Sequence, residues 1–336
     1  MKGYGIYFTG DFVFMTIRCR MDKLLAEITK LIDGLNSLHE GDHAVDLVVA
    51  RGKSTIPYLR KYLMEGQPSH IYQPRQRAVN ALARLGAKEV LIEYLSAPKD
   101  IPDPVFRFGE EAVENTAARA LAGWLTDDVF EVLLKIADTR TLPGVIEALG
   151  LFRRQELVSV FIAALMDDVS RTAAENALKS MGEIAKPALI EAARMPNPPD
   201  DYESPSNLLQ RRSAMKILAA LNITEDDWPR LKELLRDDDP EISITTTAIA
   251  LEVADREDRS RAIETLIEKI PHASWHIQAD IEDCLVKHYR AAQTEISSKI
   301  VQLKMQTEKS QASDRILQLL LNVRRLARRS GVNGDQ

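Results

Sequence analysis

Cysteine, aromatic residues and long apolar runs are all scarce in this 336-residue chain. The two cysteines, Cys19 and Cys284, stand far apart and outside any metal-ligand spacing, which excludes a disulfide framework or zinc motif and favours a reducing compartment. No stretch approaches the roughly 18 uninterrupted apolar residues that a membrane span needs. We therefore expect a cytoplasmic protein without a transmembrane segment.

Short catalytic motifs are also missing. The chain has no Gly-rich phosphate loop of the P-loop or dinucleotide type, no nucleophile elbow and no His-Glu-x-x-His sequence. This absence disfavours an enzyme without excluding one, because a dispersed catalytic site leaves no short signature. The sequence predicts neither a metal nor a cofactor.

An overall basic excess, which would point to nucleic acid, is absent too. Lys and Arg number 44 against 50 Asp and Glu, a net charge of -6, whereas nucleic-acid binders usually carry positive charge that neutralises phosphates. The charge is uneven, because residues 299–336 hold eight basic and three acidic residues and carry +5, which leaves -11 on residues 1–298. A basic tail therefore follows an acidic body.

Apolar residues recur at helical spacing from Asp22 onward, and Gly, Pro or paired acids interrupt them every dozen or so residues. One phrase returns in successive segments, a small residue followed by Leu with an apolar residue three positions later. It occurs at Ala81-Leu82, Ala120-Leu121, Ala148-Leu149 and Ala177-Leu178. Alanine permits close approach of neighbouring helices and leucine fills the layer between them, so the pattern predicts stacked helix pairs.

A second phrase marks the turn inside a pair. Gly52 is followed five positions later by Pro57, and Gly182 is followed in the same way by Pro187. Glycine ends a helix in a left-handed conformation, and proline is tolerated in the opening turn of the next helix. We expect both glycines to lie between two helices of one pair.

These features resemble the HEAT repeats named for the phycobilisome lyases, most fully in the copy Asp168–Met195 and more loosely over residues 42–290. The resemblance implies an all-α, right-handed α-α superhelical solenoid of about eight helix pairs, and it is nearly silent on activity. We expect residues 21–298 to form the solenoid and residues 299–336 a basic capping helix and tail. Residues 1–20 read equally as a small β-hairpin or as an extension before a true start at Met21.

Two Pro-rich insertions separate repeats, at Ala97–Phe108 and Met195–Ser206. Insertions in a solenoid map to loops, and long loops commonly carry binding contacts, although tolerated loop growth explains them as well. Rigid aromatic side chains offer contact area at low entropic cost. We therefore predict that the loop aromatics Phe106, Phe108 and Tyr202 bind a partner.

The last predicted helix is the most distinctive charged segment. Ser313-Asp314 is a helix-capping pair, and an apolar stripe follows it. Four arginines cluster at its end, at Arg324, Arg325, Arg328 and Arg329. The helix either caps the last repeat or presents these arginines to an acidic protein, an anionic membrane or RNA.

Two other groups have simpler interpretations than a site. The paired acids at 127–128, 167–168, 226–227 and 237–239 precede predicted helices, where they cap backbone amides. The run His272, His276, Asp280, Cys284 and His288 steps by four residues, but such a run spirals around the helix, which favours a solvated face over a metal site.

The leading function hypothesis is a non-catalytic adaptor that holds another protein with a concave solenoid face and the two edge loops. HEAT-like deoxyhypusine hydroxylases need several His-Glu pairs, and only His39-Glu40 occurs here. A HEAT-like DNA glycosylase is one alternative. Its only support is that Trp124 lies near Asp127 in the sequence, since such enzymes combine a tryptophan with a carboxylate. A chromophore-lyase-like or chaperone-like subunit is the other.

Overall fold

The computed structural model describes residues 23–66, 70–194, 203–306 and 310–329. All regular secondary structure within these ranges is helical, and the helices stack in pairs, which confirms the predicted all-α repeat architecture. The predicted β-hairpin at residues 1–20 lies outside the described residues.

The chain divides into two compact units, Met1–Phe152 and Arg153–Gln336. The N-terminal unit contains α1 (residues 23–33), α2 (Gly41–Arg51), α3 (Ile56–Glu65), α4 (Gln73–Arg84), α5 (Lys88–Ser96), α6 (Pro104–Leu121), α7 (Asp127–Ala137) and α8 (Pro143–Gly150). The C-terminal unit contains α9 (Val158–Ala164), α10 (Arg171–Met181), α11 (Lys186–Ala193), α12 (Pro205–Leu218), α13 (Trp228–Leu231), α14 (Pro240–Val253), α15 (Arg256–Lys269), α16 (Trp275–Lys287), α17 (Tyr289–Met305) and α18 (Gln311–Arg329).

Each unit is built from two rows of helices. In the N-terminal unit α2, α4, α6 and α8 contact one another in succession, while α3, α5 and α7 form the second row. In the C-terminal unit the first row is α10, α12, α14, α16 and α18, and in the second row α9 contacts α11 and α15 contacts α17. The repeated leucines fill the core between the rows and are fully buried at Leu82, Leu121, Leu149 and Leu178.

The glycine-proline phrase behaves as predicted at both places. Gly52 and Gly182 follow α2 and α10 with φ of 85° and 58°, a region that favours glycine. Pro57 and Pro187 lie in the opening turns of α3 and α11. The two glycines therefore end the first helix of a pair and let the second begin immediately.

Several acids stabilise helix starts, as the sequence indicates. Asp239 accepts a hydrogen bond from the Ile242 backbone N–H at 3.1 Å and caps α14. Asp127 and Asp128 lie in the first turn of α7. A hydrogen bond from Lys88 lowers the pKa of Asp128 to about 2, so this carboxylate also ties α7 to α5.

Gly144 lies at a close approach of α8 to α6. Its backbone N–H donates to Asn115 Oδ1 at 2.7 Å, and a Cβ added to it would lie 2.4 Å from the Asn115 carbonyl oxygen. That oxygen belongs to the backbone of α6 and cannot move without shifting the helix. Glycine at this position therefore sets the spacing of the two helices.

We expect Gly144→Ala to lower the free energy of unfolding of the N-terminal unit by about 1–3 kcal/mol, because the new methyl group pushes α8 away from α6. Gly123→Ala is the control, since its Cβ would meet only the Ala120 carbonyl oxygen at 3.5 Å. Urea titration of both variants measures the difference. Equal stability of the two variants would contradict the close approach.

Candidate functional site

The first Pro-rich segment, residues 97–103, is held at both ends. Lys99 Nζ lies 3.6 Å from the centre of the Tyr94 ring and pairs with Glu114 at 2.8 Å. Arg107 donates from Nε to the Ile101 carbonyl at 3.1 Å and from Nη2 to the Pro102 carbonyl at 3.2 Å. The segment thus presents a fixed entry to α6.

A buried ionic network underlies this entry. Glu110 on α6 is 3% exposed and accepts hydrogen bonds from Arg75 on α4 and from the Tyr94 hydroxyl on α5. Glu114, one turn later, is fully buried and accepts from Arg140 at 2.9 Å and 3.0 Å. Because these partners come from α4, α5 and the connection after α7, the network fixes the position of α6 among its neighbours.

The network keeps its carboxylate ionised. Burial alone raises the pKa of Glu110, but hydrogen bonds from Arg75 and Tyr94 together with the positive charges of Arg75 and Lys99 outweigh burial, and the pKa lies below its usual value. Burial also raises the pKa of Tyr94, with the Glu110 charge as the next cause, so the phenol stays protonated and donates. A charged, hydrogen-bonded cluster of this kind needs no water or ligand to satisfy Glu110.

The prediction that Phe106 and Phe108 lie on a loop is wrong. Helix α6 begins at Pro104, because Asp103 accepts hydrogen bonds from the backbone N–H groups of Val105 (2.8 Å) and Phe106 (3.1 Å). Proline in this opening turn loses no hydrogen bond. Both phenylalanines are therefore exposed residues in the first two turns of a helix.

The two phenylalanines point in different directions. Residues two apart on a helix differ by about 200° around its axis, whereas Val105 and Phe108 are only about 60° apart. Phe108 is 64% exposed, and its ring meets the Tyr72 ring edge-on with centroids 6.1 Å apart. We call the exposed face formed by Ile71, Tyr72, Val105 and Phe108 the aromatic surface.

A groove of about 730 Å³ adjoins the aromatic surface at Ile71 and runs between α1 and α3. Its apolar walls include Leu25, Ile32 and Tyr58. Arg75 lines the groove as well, and its buried Nε has no hydrogen-bond partner in the described part of the chain. The sequence did not indicate this groove, because α1 and α3 are brought together only by the fold.

The remaining predicted contact residues fall elsewhere. Tyr202 lies outside the described residues. Arg324, Arg325, Arg328 and Arg329 lie in the last two turns of α18, and three of them are exposed while Arg324 is half-buried. The two described groups of predicted contact residues therefore belong to different units and form separate surfaces.

The stepwise His and Asp run does not converge. His272, His276 and Asp280 are exposed, whereas Cys284 is buried and burial raises the pKa of its thiol to about 12. Within residues 23–66, 70–194, 203–306 and 310–329, no group of three or more such side chains is arranged to hold a metal ion. None of the helices in these ranges has both the length and the apolar character that crossing a bilayer requires.

Comparison with known families gives no match to a family model, and no curated protein matches the chain. The phycobilisome-lyase type of repeat is therefore not shown, while the helical-repeat fold stands on the stacked pairs of each unit.

Some solved structures resemble the chain weakly. The karyopherin Kap121p bound to the extreme C-terminus of the protein phosphatase Cdc14p is 14% identical, with a TM-score of 0.39 over 91% of this chain and 42% of that one. Kap121p bound to Pho4p is 15% identical, with a TM-score of 0.38 over 92% and 42%. The chain thus spans less than half the length of these karyopherin chains.

Proposed function

We propose that this protein is a non-catalytic scaffold that binds another protein through the aromatic surface of its N-terminal unit. The observation that carries the proposal is Phe108, which is largely exposed yet held in place by the Tyr72 ring and by a capped helix start. An exposed aromatic side chain that is already ordered loses little entropy on binding. Such side chains are typical anchors of protein interfaces.

The surroundings define what the partner offers. The adjoining groove has apolar walls and accepts apolar side chains. A protein segment supplies such side chains. In addition to Phe108, we propose Phe106 and Tyr202 as contact residues.

We expect the double variant Phe106→Ala/Phe108→Ala to retain less than about one tenth of the partner that the wild type captures, since truncating an interface anchor commonly weakens binding by about 2 kcal/mol or more. The measurement is affinity capture of the tagged protein from native lysate, with and without nuclease, followed by quantitative mass spectrometry.

The control is Leu38→Ala, which removes another exposed apolar side chain from the same unit. The single variants Phe106→Ala and Phe108→Ala show which side of α6 binds the partner. We expect the larger loss of captured partner from Phe108→Ala. Equal capture by all variants would reject the aromatic surface. Companions that disappear with nuclease would favour the glycosylase-like alternative instead.

A further inference from the structure

Helix α18 has a buried face and a basic face. Leu320, Val323 and Ala327 are fully buried against α16 and α17. At 100° per residue, Arg315, Arg325, Arg328 and Arg329 fall on the opposite half of the circumference, and the half-buried Arg324 lies at its edge. We call these five residues the arginine face.

The arginine face is not neutralised by carboxylates of neighbouring helices, in contrast to the arginines of α4 and α12. All three arginines of α4 and both arginines of α12 pair with carboxylates of neighbouring helices or turns. For the arginine face, no carboxylate of the described residues lies within 4 Å. Arg315 donates to the Pro271 carbonyl at 3.3 Å, and Arg325 donates to the Asn322 side chain.

The helix dipole does not account for the whole face. Cations are favoured only within the last turn of a helix, which covers Arg328 and Arg329. Arg315 lies near the start of α18, where a positive charge is unfavourable. Arg324 and Arg325 each stand four residues before another arginine, a spacing at which like charges repel.

An exposed tryptophan lies beside this face. Trp275 opens α16 and is 82% exposed, and its ring meets the His276 ring edge-on with centroids 5.8 Å apart. It lines a cleft of about 720 Å³ between α16 and α18 together with Arg315 and Arg325. Tryptophan and arginine are the residue types most enriched at the centres of protein interfaces.

The cleft has a direction and a length. Arg315 contacts Pro271 just before α16, and Asn322 Nδ2 donates to Glu282 Oε1 at 2.7 Å further along, so α16 and α18 run parallel. With 1.5 Å of rise per residue, Arg325 lies about 15 Å beyond Arg315 along α18. An extended peptide covers that distance with about five residues.

The acids of the cleft distinguish between possible ligands. Glu282 and the exposed Asp283 line the same cleft as Arg325. RNA carries a negative charge on every nucleotide and would place phosphates against Asp283. An anionic bilayer presents an equally uniform charge, and the apolar face of α18 that could enter it is already buried. A peptide can place acids on the arginines and neutral residues opposite Asp283.

We propose that the cleft between α16 and α18 binds an acidic protein segment, with an apolar residue of the segment on Trp275 and its carboxylates on Arg325, which lines the cleft, and on Arg329, one turn further along α18. The apolar residue and the carboxylates lie about five residues apart in an extended ligand. This site belongs to the C-terminal unit and is independent of the aromatic surface, so either proposal can fail without the other.

The test uses the full chain and a fluorescein-labelled nine-residue peptide with one Phe, a four-residue Gly-Ser spacer and four Glu. We expect Arg325→Gln/Arg329→Gln to weaken binding, measured by fluorescence anisotropy, at least about tenfold through loss of two charge-assisted contacts. The matched control Arg256→Gln/Arg259→Gln removes the same charge from α15 and should leave binding within about twofold, since those arginines belong neither to the cleft nor to the arginine face of α18.

Trp275→Ala tests the second contact without disturbing the core, because its side chain is exposed. It should weaken the Phe-containing peptide severalfold and leave a Phe→Gly peptide unchanged. Equal losses from the α15 control would show general charge attraction and overturn the proposal. Tighter binding of a ten-nucleotide single-stranded RNA, or of phosphatidylserine vesicles, would overturn it in favour of that ligand.

Discussion

Replacing Glu110 by Ala should lower the free energy of unfolding of the N-terminal unit by about 3–5 kcal/mol, the range expected when one partner of a buried ion pair is removed. The carboxylate is 3% exposed and accepts hydrogen bonds from Arg75 and Tyr94. Lys99 Nζ also lies 3.3 Å from it. Its removal leaves a guanidinium and a phenol buried without their acceptor.

Urea unfolding followed by hydrogen exchange of α4, α5 and α6 would measure this loss within the unit. Glu93→Ala is the control, since Glu93 also pairs with an arginine, Arg60, but on the exposed surface, where ion pairs contribute little. If the two variants were equally stable, the buried network would not be fixing α6.

The contribution of the Glu110 carboxylate to stability should also depend on pH. The folded pKa of Glu110 lies below its ordinary value, so the folded protein binds the proton less readily than the unfolded chain. The stabilisation is therefore complete above the unfolded pKa of about 4.3 and is lost as the pH falls through the folded pKa. In Glu110→Gln the free energy of unfolding should decline less steeply below pH 4.3, and an unchanged slope would contradict the assignment.

Arg211→Met should destabilise the C-terminal unit by a similar amount, about 3–5 kcal/mol. The guanidinium is 1% exposed, pairs with Glu203 at 2.9 Å and with Asp237, and donates to the Ala193 carbonyl at 3.1 Å. Methionine keeps much of the volume but leaves the two carboxylates without their cation. The loss is therefore electrostatic and not a packing defect.

The matched control is Arg261→Met on α15, whose pairs with Glu257 and Asp258 are half exposed. Hydrogen exchange should show faster opening of α11, α12 and the start of α14 in Arg211→Met, with little change in the control. Equal protection in both would mean that Arg211 is dispensable for holding these helices together.

The local features of the fold were accessible from sequence. Buried leucines such as Leu82 and Leu178 follow the helical period, and Gly182 with Pro187 marks a turn through backbone preferences that involve only neighbouring residues. The start of α6 was misplaced because the capping by Asp103 competes with the Pro-rich composition around it. A capped proline begins a helix as readily as it extends a loop.

The candidate surfaces are formed by residues that lie far apart in the sequence. Tyr72 meets Phe108 across 36 positions, and Arg75 meets Glu110 across 35. Nothing in either local sequence identifies its partner, since arginine and glutamate are common on any solvated helix. The exposure of Trp275 could not be predicted from the sequence for the same reason, because the burial of a side chain depends on which helix packs next to it.

Two buried arginines, Arg75 and Arg211, link successive helix pairs, so that the linked pairs unfold together. Arg75 on α4 reaches back to the Leu63 carbonyl on α3 and forward to Glu110 on α6. Arg211 on α12 does the same with Ala193 on α11 and Asp237 before α14. Each arginine therefore bonds at once to the helix pair before it and to the helix or turn that leads into the next pair, in addition to the apolar stacking between adjacent pairs. Under mechanical force, the helix pairs joined by Arg75 or by Arg211 would therefore unfold together and not one pair at a time.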